Sequence, residues 1–407
     1  MLAILSAPGS RGDVNPMIAI GRQLVQAGFD VVISVAQPYA DLAEAAGLKA
    51  EGVISKAKFD QALSAPEVWK PIRGARTVLR MIAEEFLPAH FDLIQRNHRE
   101  GETILVSHPL DVSSRIFRDL DPSTPLIDIH LAPAILRTPH APPRVSPWWL
   151  EVQRPVWAVK AAYWLADRFV LDPIFAGPVN RLRAEHSLPP VKRLLNEWWL
   201  SPDRIIAMYP RWFAPATEMF FPRLVHAGFP LEDLDERTEI EPTDRRPIVF
   251  TAGTANHHGK RFFERAADAC SQLNHPGILL STHNENFPES LPKLVSTHNY
   301  VSLRSLLPAC GAIVHHGGIG TTSQALAAAT PQIIRPLAFD QFDNATRVAA
   351  LCCGIWLRHD RNLIAALSAC LAGKHDEGCR QAAARIEVTP AAKIAADEIR
   401  KLVGTGG

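Results

Sequence analysis

A chain of 407 residues is too long for one ordinary core, and two domains are its natural division. With 47% hydrophobic and 21% charged residues it is globular, not disordered, and its formal net charge of +1 excludes a global field steering it toward nucleic acid or anionic lipid. Any charge-based recognition is local.

The opening Met1-Leu2-Ala3-Ile4-Leu5 lacks a basic flank and a cleavage site, so it reads as a first strand over Leu2 to Ser6. A Gly-rich turn follows, Pro8-Gly9-Ser10-Arg11-Gly12-Asp13-Val14-Asn15-Pro16, and then a helical stretch from about Val14 to Ala27. In that stretch Ile18, Ile20, Leu24 and Val25 fall largely on one face and Gly28 closes it. Asp13 at the helix start is favoured by the helix dipole, so capping is its plain role. Its functional reading is a general base. Val31 to Val35, Ile104 to Ser107 and Leu126 to Ile129 are further short apolar runs.

The segment from His140 to Phe213 interrupts this alternation and holds seven of the nine tryptophans: Trp148, Trp149, Trp157, Trp164, Trp198, Trp199 and Trp212. From Pro155 on, Trp157, Ala161, Trp164, Leu165 and Phe169 keep a helical period. Large aromatics at that spacing read first as core, and second as a wall for a flat or greasy acceptor or a membrane surface. Leu231 to Arg246, charged and poor in apolar residues, reads as a linker.

Alternation resumes at Pro247 to Thr251, Ile278 to Ser281, Ala312 to Val314 and Gln332 to Arg335. Buried strands alternating with helices predict parallel sheets covered on both faces, in two α/β domains facing one another across a cleft. The expected domains are 1–230, a linker 231–246, 247–390, and a C-terminal helix 391–407 crossing back to the first domain. Cys270, Cys310, Cys352, Cys353, Cys370 and Cys379 form no C-x-x-C pair and no His/Cys zinc spacing. They read as core thiols of a reduced, cytoplasmic protein, and no apolar run reaches the roughly 18 residues of a membrane span.

The strongest chemical signal is Ala312-Ile313-Val314-His315-His316-Gly317-Gly318-Ile319-Gly320-Thr321-Thr322. An apolar strand enters a Gly-rich turn and a small-residue helix start, which aims free N–H groups and a positive helix end at an anion. It is neither a P-loop nor G-x-G-x-x-G, and a plain strand-to-helix turn with a core histidine has the same pattern. Pro336-Leu337-Ala338-Phe339-Asp340-Gln341-Phe342-Asp343-Asn344 follows the next strand. Asp340 and Gln341 there suit sugar hydroxyls or a helix cap. Ala252-Gly253-Thr254 is a weaker phosphate turn. His257 and His258 read as solvated loop histidines, because no carboxylate stands at suitable spacing.

Together these segments resemble glycosyltransferase family 1, nucleotide-sugar-dependent enzymes with the GT-B fold. Gly9 to Asp13 is similar to the opening turn of sterol and glycopeptide-antibiotic glucosyltransferases, and His315 to Thr322 with Pro331 to Gln341 to the donor signature. Trp198 to Pro202, Tyr209 to Pro215 and Phe339 to Ala345 are similar to the rhamnosyltransferase chain of rhamnolipid synthesis.

The resemblance implies an inverting transfer of a hexose from a UDP- or dTDP-sugar to a hydrophobic alcohol, with Asp13 as base and no metal or other cofactor. It implies that His315, in preference to His316, holds the donor phosphates together with Gly317, Gly318, Ile319, Gly320, Thr321 and Thr254. Asp340 and Gln341 would hold the sugar, and the chain at Tyr300 and Val301 the base. Arg11, His108 and Asp111 are expected on the acceptor side. Nucleic acid is not an expected partner, whereas peripheral contact with the inner membrane face is. A nucleotide-sugar epimerase and a non-catalytic nucleotide-sugar-binding protein are the alternatives.

Overall fold

The computed structural model describes residues 1–147, 152–215, 218–232, 245–254, 256–386 and 388–404. Most of the expected linker, together with Trp148 and Trp149, lies outside them. The chain divides into two compact units: Met1–Pro143, Trp148–Glu232 and Thr389–Gly407 form the first, and Arg144–Pro147 with Asp233–Val388 the second. The short passage 144–147 thus belongs to the second unit and the C-terminal segment to the first. The C-terminal helix, Ala391–Gly404, joins the first unit through Arg204 and Glu398 at 3.2 Å, and Ala392 N–H donates to Glu232 at 3.2 Å.

The first unit holds seven parallel strands: β1 (Leu2–Ala7), β2 (Asp30–Ala36), β3 (Lys49–Ile54), β4 (Thr103–Ser107), β5 (Leu126–His130), β6 (Arg204–Ala207) and β7 (Leu224–His226). Their order is β3-β2-β1-β4-β5-β6-β7. The second unit holds β8 (Ile248–Thr251), β9 (Gly277–Leu280), β10 (Val295–His298), β11 (Ala312–His315), β12 (Gln332–Ile334) and β13 (Gly354–Trp356), again all parallel, in the order β10-β9-β8-β11-β12-β13.

Every residue of β1, β4, β5, β8, β9 and β11 is buried, as continuous apolar runs covered on both faces require. The strands that the sequence did not signal are β3, β6, β7, β10 and β13. Strand β3 (Lys-Ala-Glu-Gly-Val-Ile) is half exposed along its length and carries charge, and the others are only three or four residues long. The first helix runs Arg11–Gln26, earlier than the apolar period suggests, because the Asp13 carboxylate reaches back to the Ser10 N–H at 2.8 Å and starts the first turn.

The tryptophan segment corrects the expectation of core packing. In the helix Val156–Ala166 and the turn after it, Trp157 is 73% exposed, Trp164 47%, Leu165 49% and Phe169 61%. Trp198 and Trp199 are the buried ones. Trp198 Nε1 donates to Asp119 at 2.7 Å and Trp199 Nε1 to the Pro109 carbonyl at 2.8 Å, so each indole pairs its N–H. Arg115 and Arg183 close on the same Asp119 and stack on Trp198. Five of the six cysteines are buried; Cys352 is exposed.

Close strand packing also sets a limit at β13. A Cβ added at Gly354 would lie 2.0 Å from the backbone carbonyl oxygen of Gln332 on β12, and backbone cannot step aside as a side chain can. Gly354→Ala should cost about 1–3 kcal/mol or more, read as a lower urea midpoint of the purified chain; an unchanged midpoint would contradict this packing.

Candidate active site

In an open parallel sheet, ligands bind beyond the carboxyl ends of the strands, where the strand order reverses. The first unit reverses between β1 and β4, and the second between β8 and β11. The turns leaving those four strands carry most of the residues singled out in the sequence.

At the first reversal, the turn after β1 supplies Asp13 and the turn after β4 supplies His108. Asp13 Oδ2 accepts the Ser10 N–H at 2.8 Å and the Ser10 hydroxyl at 3.2 Å, while Oδ1 lies 3.3 Å from His108 Nε2. His108 is held by its own surroundings: its N–H donates to Ser6 Oγ at 2.9 Å, and its Nδ1 accepts the Leu110 N–H at 3.2 Å. An Nδ1 that accepts leaves the ring proton on Nε2, so His108 donates to Asp13. Burial works to raise the Asp13 carboxyl, but the hydrogen bond and field of His108, helped by Ser10, outweigh it and set the group below its ordinary value. The carboxylate is therefore ionised and one-third exposed on its side chain. Arg11 begins the same helix and is half-buried.

Asp111 is a correction. It was expected on the acceptor side, but it is 3% exposed and turned inward. Its carboxylate accepts from the Ser114 N–H at 3.1 Å and hydroxyl at 2.6 Å, and faces His90 Nε2 at 3.1 Å. Burial opposes ionisation there, yet the His90 charge and these bonds bring the group down to about 2. It caps the helix Ser113–Leu120 and carries no exposed lone pair to a substrate.

At the second reversal, β11 ends in His315, and Gly317 takes φ +96°. A Cβ there would strike Ile334 Cγ2 at 2.6 Å and approach the Gln341 carbonyl at 3.1 Å, so the turn needs glycine for both conformation and space. Gly318 caps the helix Ile319–Ala327, whose first backbone bond from its own chain is Thr322 N–H to Gly318 O at 3.0 Å. The N–H groups of Ile319, Gly320 and Thr321 precede that bond and are the orphan donors of a helix start. Gly320 is exposed with open space beyond its Cα.

The two histidines divide differently from expectation. His315 is fully buried, its Nδ1 accepts the Gly317 N–H at 3.1 Å, and its Nε2 meets Gln332 Oε1 at 3.0 Å. Burial, with the neighbouring His316, pushes it down to about 3, so it is neutral and both nitrogens are committed. It builds the turn and has no donor left for a phosphate. His316 is the ring that stands in the turn, half-buried, with Nδ1 making no hydrogen bond among the described residues. It lies between the two glycine turns: a Cβ at Gly253, on the loop after β8, would come within 2.6 Å of its Cε1, and one at Gly318 within 2.6 Å of its Nε2. Burial lowers it to about 4.

Beyond β12, Phe339 adopts φ +57° and delivers Asp340 to the start of the helix Gln341–Ala350. Gln341 is 3% exposed, and its Oε1 accepts the Leu337 and Ala338 N–H groups at 2.8 and 3.0 Å, so the amide oxygen supports the turn and a sugar could be met only by the amide nitrogen. Asn344 went unassigned in the sequence reading. Fully buried, it donates to Gly317 O at 2.9 Å and to Asp340 Oδ2 at 2.8 Å and so ties the two turns together. A helical i to i+4 step from Asp340 was its sequence trace; the link to Gly317 is tertiary. Thr254 is exposed and Thr321 half-buried at these turns. The Val301 side chain is packed in the core with Val249 and Ile278, which leaves only backbone there to meet a base.

The two parallel α/β units, with an ionised carboxylate at one strand-order reversal and a glycine turn at the other, have the GT-B fold. Residues 266–403 match the family described as the erythromycin biosynthesis protein CIII-like, C-terminal domain. The chain is 26% identical over 376 residues to the O-mycaminosyltylonolide 6-deoxyallosyltransferase of Streptomyces fradiae, covering 84% of this chain and 81% of that one. It is 27% identical to glycosyltransferase GtfE of Amycolatopsis orientalis over 99% of this chain and 98% of that one. The solved structure of glycosyltransferase VinC in complex with dTDP superposes with a TM-score of 0.69 over the full length of both chains at 17% identity. This chain is a nucleotide-sugar-dependent glycosyltransferase with an EryCIII-like C-terminal domain.

One further buried acid adjoins the first site. Burial raises Asp128 on β5 from an ordinary 3.8 to about 7, against the opposing bonds from the Ser107 hydroxyl at 2.6 Å and the Ser201 N–H at 2.5 Å. A raised native value means that between about pH 4 and 7 the unfolded chain gives up a proton that the native state keeps, so stability falls as pH rises through that window. Asp128→Asn does not titrate. Its stability relative to the parent should therefore increase from pH 5 to pH 8 in urea unfolding, and an equal difference at both pH values would contradict the assignment.

Proposed function

We propose that the enzyme transfers a hexose with inversion from a dTDP- or UDP-sugar to a hydroxyl of a hydrophobic natural-product acceptor, Asp13 taking the proton. The observation that carries this is the Asp13–His108 pair. Three donors fix the carboxylate, its charge persists at neutral pH, and its partner histidine holds the tautomer that donates to it. The acceptor oxygen attacks the anomeric carbon as its proton passes to Asp13, and the C1–O bond to the diphosphate breaks. The N–H groups of Ile319, Gly320 and Thr321, with His316, receive the developing phosphate charge without needing a metal. Asp340 and the Gln341 amide nitrogen are the groups for sugar hydroxyls. The names of the relatives, an O-mycaminosyltylonolide 6-deoxyallosyltransferase and a dTDP complex among them, support a dTDP-linked donor and a natural-product acceptor.

Asp13→Asn keeps the size of the side chain and should lower turnover roughly 10²–10⁴-fold with donor affinity unchanged. Turnover near that of the parent would sink Asp13 as base. His108→Leu separates positioning from packing: removing its donated bond should raise the carboxyl and move the acid limb of the kcat/KM profile to higher pH. A profile that falls uniformly without shifting would assign His108 to structure only. Incubation with nucleotide sugar alone distinguishes an epimerase, which needs no acceptor.

The exposed Trp157, Trp164, Leu165 and Phe169, with Lys160 and Arg168 among them, support a second reading of that helix as a contact with a greasy acceptor or an anionic membrane face. No helix among the described residues is long and apolar enough to cross a membrane. Trp157→Ser with Phe169→Ser should reduce co-sedimentation with phosphatidylglycerol vesicles; parent protein that stays in the supernatant would refute membrane contact.

A further inference from the structure

His257 and His258 follow Thr254 on the loop after β8, and by spacing alone no carboxylate completes a metal set with them. The fold supplies one from another strand. The loop after β9 carries His283 and Glu285, and a single buried side chain, Asn286, joins the two loops. Its Oδ1 accepts the Gly259 N–H at 2.8 Å, and its Nδ2 donates to Asn256 O at 2.9 Å and to Ser281 Oγ at 3.2 Å. The flanks are pinned as well. His258 N–H donates to Asn256 Oδ1 at 2.9 Å, His283 N–H to Ser281 Oγ at 3.1 Å, and the Thr282 hydroxyl to Thr254 O at 3.2 Å.

This scaffold sets the His257 and His283 rings 3.8 Å apart between centroids and inclined at 39°. One ligand atom from each ring and one Glu285 oxygen all lie within 4.8 Å of one another. His283 Nδ1 is 3.7 Å from Glu285 Oε1, and the buried His283 Nε2 makes no hydrogen bond among the described residues.

We propose that His257, His283 and Glu285 bind one divalent transition metal of the zinc, cobalt and nickel class. Two imidazoles and one carboxylate are the donor set such ions take, and three protein ligands leave a position for water. Bonds of about 2.0–2.2 Å need the three donors to draw closer than they stand. The Glu285 side chain, 66% exposed, can rotate to do so, while the histidine-bearing loops are already fixed by Asn286. The bound ion clamps the loops after β8 and β9, and so steadies Thr254. This site stands independently of the donor and base assignments, since its residues belong to neither.

The test is a titration of chelator-stripped, tag-free full-length protein with Co(II), followed by visible absorbance, and with Zn(II), followed by calorimetry and thermal unfolding. One equivalent should bind, with a ligand-field band and a raised unfolding temperature. His283→Ala and Glu285→Gln should each weaken binding by at least the roughly 10–100-fold that even an outer-sphere partner commands. Glu285→Gln changes an exposed side chain and should unfold like the parent without metal, which separates a lost ligand from a lost fold. No cobalt band in the parent, or equal affinity in the parent and both variants, would overturn the proposal. Equal affinity would place the ion elsewhere among the sixteen histidines.

Discussion

All strands in each sheet run in the same direction, so every strand-to-helix turn of a unit leaves from one edge of its sheet. The order of strands then decides which turns meet. In the first unit β1 and β4 lie side by side with their crossovers leaving in opposite directions, and in the second β8 and β11 do the same. A gap opens between diverging helices at each place. Asp13 and His108 owe their meeting to the first reversal. His316 owes its place between the glycine turns of Gly253 and Gly318 to the second.

Within those turns the same small device appears twice. His108 Nδ1 accepts an N–H from two residues ahead, and so does His315 Nδ1. Both rings are thereby held with the proton on Nε2, but their partners differ. His108 directs that proton at a carboxylate and strengthens its charge; His315 directs it at the neutral amide of Gln332, whose own Nε2 donates to Thr322 O. The first arrangement tunes an ionisable group, and the second fastens a turn to the helix that follows it. Buried polar groups of this kind are costly unless partnered, and Gln332, fully buried behind the glycine turn, uses both ends of its amide, Oε1 toward His315 and Nε2 toward Thr322 O.

Much of the architecture was legible in the sequence because fully buried parallel strands are largely apolar along their length. The runs at 2–6, 104–107, 126–129 and 312–314 all fall on strands, each extended by one residue. Strands at the margins, such as Lys49–Ile54 and Gly354–Trp356, escaped because half-exposed or very short strands owe no such pattern. The tryptophan helix misled for the opposite reason. A helical period of aromatics marks one face but not what covers it, and Trp157 and Phe169 face outward.

Local chemistry was likewise legible, since a Gly-rich turn, a helix N-terminus and a capping Asp13 are each properties of a few adjacent residues. The sequence by itself thus determined the two-sheet α/β class, the glycine turn that opens a helix after β11 and the carboxylate that opens the first helix. Tertiary structure alone decided which polar atoms remain available. Gln332 and Gly317 take both nitrogens of His315 and leave His316, Ser114 and His90 occupy Asp111, and Asn286 brings His283 and Glu285 to His257. Each of these pairings except Asp111 with Ser114 and His315 with Gly317 spans more than ten residues, and hydrogen bonding across such a distance is set by strand order and burial, which no local pattern encodes.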